Sequence, residues 1–173
     1  MRGVRWRVLF GVAVVGGLLL AVGVAYFQPQ KLFINQRVDE AIPAATTVPG
    51  KAPPASTAAP PETVLSTSNL QSLEHQSSGT VVLIELVGGG RILRLENLAT
   101  SNGPDLHVYL STTPASADWH GYDRDYVDLG ALKGNLGNQN YALPDSVDLA
   151  RYRSAVIWCR QFKVGFAVAT LSG

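Results

Sequence analysis

The sequence predicts an all-β domain, a sandwich or small barrel of about seven or eight strands, preceded by one N-terminal transmembrane helix and a Pro/Ala/Thr-rich linker. Three observations lead there. Val8 to Phe27 is an unbroken run of apolar, glycine and aromatic residues. Pro43 to Glu62 is dominated by proline, alanine and threonine. From Thr63 onward, short apolar runs recur between glycine, proline and asparagine, with no long amphipathic helical pattern. A chain of 173 residues accommodates one domain plus such flanking parts.

Twenty helical residues at about 1.5 Å each span roughly 30 Å, the hydrocarbon thickness of a bilayer. Trp6 and Tyr26 stand near the two ends of Val8–Phe27, where amphipathic rings favour the interface. Arg2, Arg5 and Arg7 precede the run, so the positive-inside rule assigns residues 1–7 to the cytoplasm and everything after Phe27 to the outside of the cell membrane. The alternative is a cleaved signal peptide, with Gly23-Val24-Ala25 as its small-x-small site. The run is longer than a typical signal core, which favours an uncleaved signal-anchor. Either way the domain lies outside the cytoplasm.

Residues 28–62 divide in two. Lys31 to Ile42 mixes apolar and charged residues, either as an interfacial or docking segment or as a poorly ordered junction. Pro43 to Glu62 lacks large aromatics and cannot build a core, so it reads as a disordered spacer that lifts the domain off the membrane.

Residues 63–173 form the expected domain. Thr80–Leu86 is rich in β-branched residues; Gly88-Gly89-Gly90 makes a turn, and Arg91–Leu98 returns as the second strand of a hairpin. Strict alternation there puts Ile92, Arg94, Glu96 and Leu98 on one face and Arg91, Leu93, Leu95 and Asn97 on the other. Gly103-Pro104 turns the chain into Asp105–Ser111. Tyr126–Leu129 and Gln139–Leu143 are shorter strands, and Asp148–Arg153 is a single helical turn. Ser154–Cys159 and Phe162–Leu171 are almost wholly apolar, as central strands buried on both faces are.

Between Thr63 and Gly173, ten acidic residues face eight Lys and Arg. Without a basic cluster, a nucleic-acid partner is not expected. The single cysteine, Cys159, excludes an intramolecular disulfide and any multi-cysteine zinc or iron–sulfur site within one chain.

Gly103-Pro104-Asp105-Leu106, Leu132-Lys133-Gly134-Asn135 and Trp158-Cys159 occur in an order that resembles the DM-thirteen domain family. The likeness runs from about Leu70 to Leu171 and leaves out the apolar run and the spacer. It implies electron transfer or redox modification at a cell surface. The family's characteristic cysteine falls on Cys159, as a bare thiol or as a ligand to a haem-like group. Its early histidine falls on His75, as a second ligand or an acid–base partner.

Cys159 is thus the candidate redox thiol or ligand, with His75 as its partner. A lone thiol outside the cytoplasm is unusual, yet free cysteine is also among the most buried residue types and often simply packs. His107, between Leu106 and Val108, is a weaker candidate for cofactor binding. No CxxCH motif is present, so a haem would be held non-covalently. Asp118, His120, Asp123, Asp125 and Asp128 crowd one segment that has oxygen ligands for calcium but no EF-hand spacing; a solvated loop is the simpler reading. Gly88-Gly89-Gly90 lacks the phosphate-loop pattern, and Ser154 lacks the setting of a hydrolase nucleophile. Trp119, Trp158, Tyr109 and Tyr141 line a pocket or, more simply, the core.

Two functions follow. One is a membrane-anchored, extracytoplasmic electron-transfer or thiol-redox module working with a redox partner. The other is a non-catalytic β-sandwich that docks on another envelope protein or a ligand, with Cys159 merely packed. No catalytic constellation marks an enzyme.

Overall fold

The computed structural model describes residues 2–27, 34–43, 62–87, 89–116, 118 and 120–171. Most of the spacer (residues 44–61), Gly88 and Trp119 lie outside the described residues. Arg2–Phe27 is one α-helix, α1. Among the described residues, no helix is long and apolar enough to cross a membrane.

The rest is β. Ten strands follow in chain order: β1 (Arg37–Asp39), β2 (Thr63–Asn69), β3 (Gln71–Ser72), β4 (Ser78–Glu85), β5 (Arg91–Ala99), β6 (Leu106–Ser111), β7 (Tyr126–Ala131), β8 (Leu136–Leu143), β9 (Ser154–Cys159) and β10 (Val164–Thr170). They make two five-stranded sheets, ordered β1-β8-β5-β4-β2 and β3-β10-β9-β6-β7. The architecture is sandwich-like, and the count is ten rather than seven or eight. β1, β2 and β3 are the additions: two are only three and two residues long, and the exposed β2 has a polar Ser-Thr-Ser run. The turn expected at Asp148–Arg153 is a 3₁₀ turn, Leu149–Arg151, in which the Ala150 N–H donates to Asp148 Oδ1 at 3.1 Å.

Between the sheets lies the main core, with Leu93, Leu95 and Leu98 from β5, Leu106, Val108 and Leu110 from β6, and Ala155, Ile157 and Cys159 from β9. Leu98 joins Leu93 and Leu95, against strict alternation. Asn97 has a left-handed φ of 49°, and the β5–β8 register shifts between Leu95 and Leu98. One extra residue at this bulge returns Leu98 to the inner face. Gly79 permits the approach from β4; a Cβ there would lie 2.8 Å from the Glu96 carbonyl oxygen at φ +129°.

The segment ahead of the spacer is docked. β1 pairs in parallel with β8, Arg37 opposite Leu136 and Asp39 opposite Asn138. The Gln36 N–H donates to Asn135 Oδ1 at 2.7 Å. The Glu40 carboxylate accepts from Lys133 Nζ at 2.8 and 2.9 Å and from the Asn140 N–H at 2.8 Å. Arg94 donates to the Glu40 carbonyl at 2.9 Å, and Asn140 Nδ2 to that of Ala41 at 2.7 Å. Ile42 then packs on Val82, Ile84 and Ile92, on the other side of that sheet from the main core. Two glycines make room: a Cβ at Gly134 or Gly137 would overlap the carbonyl oxygen of Gln36 or Val38. Residues 34–42 therefore act as a strap across the β8 edge, a strand edge otherwise open to foreign pairing.

Burial alone would raise the Glu40 pKa, but the hydrogen bonds and charges of Lys133, Asn140 and Arg94 outweigh it and hold the carboxyl below its ordinary 4.5. A depressed carboxylate stabilises the fold above its unfolded value and stops doing so as pH falls through its folded value. Glu40→Gln is expected to lower the urea midpoint at neutral pH, with the deficit shrinking once pH falls below about 4.5. Gly137→Ala, strained at φ +98° as well as overlapping the strap, is expected to cost about 1–3 kcal/mol in the same measurement.

Candidate functional site

The three segments that carry the family resemblance meet at one end of the sandwich. Leu132 N–H donates to the Leu106 carbonyl at 2.7 Å, and Arg160 N–H to the Asp105 carbonyl at 3.0 Å, which ties Gly103–Leu106 to both other segments. Gln139, fully buried, organises the Leu132–Asn135 turn from within. Its Nε2 donates to the Gly134 carbonyl at 2.7 Å, while its Oε1 accepts from the Lys133 and Gly134 N–H groups and the Tyr141 hydroxyl. Gly103 lies so close to Leu106 and Phe166 that a Cβ would stand 2.8–3.0 Å from their side chains.

A cavity of about 160 Å³ opens at this end. Gly103, Pro104, Leu106, Leu132 and Asn135 line it, and the strap adds Ile34 and Gln36. Leu106 forms part of its wall and is also the cross-strand neighbour of Cys159 in the β6–β9 register. Cys159 therefore sits behind the cavity, on the inner face, with no solvent exposure.

His75 lies in the loop between β3 and β4. Ser72 Oγ accepts from the Ser77 N–H at 2.9 Å and donates to the Ser77 carbonyl at 3.0 Å, closing a loop that presents His75. The imidazole stacks on Phe166, ring centroids 3.8 Å apart and planes 18° apart. Phe166 belongs to the same inner core as Cys159, so it is the group on which His75 packs.

His107 lies on the opposite face from Cys159, paired in register with Trp158. Its Nδ1 is 2.9 Å from Asp128 Oδ1 and its Nε2 3.2 Å from Asp105 Oδ1. Arg160 bridges the same carboxylates, Nε to Asp105 at 3.1 Å and Nη1 to Asp128 at 3.5 Å. Among the described residues no group of three or more His, Cys, Asp or Glu is arranged to hold a metal ion. In the acidic segment, Asp118 turns to His120, Asp125 to Arg151 and Asp128 to His107.

A haem does not fit these residues. Ligand pockets usually measure roughly 300–1,000 Å³, well above the cavity here. Cys159 has no open face, and both nitrogens of His107 are engaged on the far side of the sheet.

The sequence brought Cys159, His75 and His107 forward but not Gln139. Gln139, a polar residue inside an expected strand, was a signal of its own, since buried amides hold turns. A family model described as Electron transfer DM13 matches residues 69–171. No curated protein and no solved structure matches the chain.

His107→Ala leaves two carboxylates facing one guanidinium and is expected to cost about 2 kcal/mol in a urea melt. His120→Ala, at an exposed pair, is expected to stay within about 0.5 kcal/mol of wild type.

Proposed function

Because the chain belongs to the Electron transfer DM13 family, we propose that its β domain is an electron-transfer module with Cys159 as the redox sulfur and His75 as that centre's second side chain. In this reading the apolar run Val8–Phe27 serves as a signal-anchor and the domain works at the outer face of the cell membrane, against a redox partner. The observation that carries it is the convergence of Gly103–Leu106, Leu132–Asn135 and Trp158-Cys159 at the cavity end of the sandwich. Burial supports transfer of electrons over exchange of bonds. A thiol closed behind Leu106 cannot meet a disulfide or an alkylating agent without opening of the core, whereas an electron needs no such contact.

The same burial favours a second reading, a binding module that docks on an envelope protein or ligand while Cys159 packs. Protein-film voltammetry on the full chain in detergent separates the two. The electron-transfer reading expects a wave that disappears in Cys159→Ser and weakens in His75→Ala, both checked for native circular dichroism. A full chain without a wave, or a wave that persists in Cys159→Ser, overturns it. Under either reading, a thiol reagent is expected to label Cys159 on the order of 100-fold more slowly in native buffer than in denaturant.

A further inference from the structure

The other face of the β7–β6–β9 sheet carries a row of aromatic rings. Tyr126 on β7 is 41% exposed. It stacks on the buried Tyr109, ring centroids 4.2 Å apart and planes 21° apart. Tyr109 in turn lies 6.4 Å from the buried Trp158 at 27°. The register produces the row: Ser111 pairs with Tyr126, Tyr109 with Val156 and His107 with Trp158, so each ring is the diagonal neighbour of the next. Trp158 is covalently linked to Cys159, whose side chain points to the inner face.

A merely apolar layer would need no hydroxyls here. Yet the Tyr109 phenol is kept protonated well above its ordinary range, by burial first and then by its neighbours Tyr126 and Asp128. Two stacked phenols with ring centroids 4.2 Å apart, one buried and one at the surface, set an electron donor directly beside an acceptor.

We propose that Tyr126 and Tyr109 form a one-electron relay from the protein surface to the ring beside Trp158, and that its surface partner is a one-electron oxidant such as a high-potential haem or copper centre. The relay deepens the electron-transfer reading above and rests on it. The oxidant takes one electron from Tyr126 and is reduced by one, and the phenolic proton of Tyr126 leaves to water. Tyr109 then gives its hydroxyl hydrogen, proton and electron together, to the Tyr126 oxygen. The Tyr109 O–H bond breaks, the Tyr126 O–H bond re-forms, and the unpaired electron rests on the buried ring.

The test supplies its own oxidant, photogenerated tris(bipyridine)ruthenium(III), to the full chain and reads the radical by rapid-freeze electron paramagnetic resonance. In wild type the radical is expected to be insensitive to a soluble paramagnetic relaxing agent, as a buried one is. Tyr109→Phe is expected to leave a radical that the agent relaxes readily and that decays at least about tenfold faster. Tyr126→Phe is expected to lower the radical yield about tenfold. A wild-type radical relaxed as easily as free tyrosine overturns the relay without recourse to any variant. So do unchanged yield and lifetime in natively folded Tyr109→Phe and Tyr126→Phe. The same measurement in Cys159→Ser keeps the two readings apart. A relay intact there, beside a full chain without a voltammetric wave, overturns only the role of Cys159. A Cys159 wave unchanged in Tyr109→Phe overturns only the relay.

Discussion

The pairing of β6 with β9 is the constraint on which the other features depend. Six consecutive registered pairs, from Leu106–Cys159 to Ser111–Ser154, place this antiparallel ladder at the middle of its sheet. Because side chains alternate along a strand, the ladder sorts its residues into two environments. Leu106, Val108, Ala155, Ile157 and Cys159 enter the space between the sheets; His107, Tyr109, Val156 and Trp158 enter the opposite layer. A slip of one residue would exchange the two sets and put the thiol among the carboxylates.

That division separates two kinds of chemistry within one tripeptide. Cys159 is enclosed by hydrocarbon on the inner face. Trp158 meets tyrosines, and Arg160 reaches outward to Asp105 and Asp128. Asp105 and Asp128 flank His107 and are bridged by Arg160, so a histidine with little solvent exposure keeps polar partners. None of these charges is directed at the sulfur, which lies on the inner face.

The strap is a second organising feature. Short strands and exposed edges are weak elements by themselves, and β1 has only three residues. It is held by polar groups that converge on Glu40 and Asn135 and by two glycines that let backbone approach backbone. Through Ile34 and Gln36 the strap also walls the cavity in front of Leu106. A segment ahead of the family-matched region thereby shapes the end of the sandwich where that region's motifs meet.

Much of the fold was legible in the sequence because its signals are local. Short apolar or alternating runs identify β4, β5, β6, β9 and β10, and the continuous apolar character of Ser154–Cys159 matches a central strand buried on both faces. β1, β2 and β3 were not legible, being short, polar or dependent on a partner strand. Leu98 was assigned to the wrong face because a single left-handed residue, Asn97, reverses alternation, and nothing in the pattern of apolar residues announces a bulge. Of the candidate site, the sequence by itself determined which atoms are available: one thiol, three imidazoles and no second cysteine. Only the tertiary structure decided what they meet. Cys159 lies beside Leu106, His75 on Phe166, and His107 between two carboxylates across the sheet. The physical reason is that residue type and period are properties of one strand, whereas register, bulges and the packing of one sheet on another are set by contacts between segments far apart in the chain.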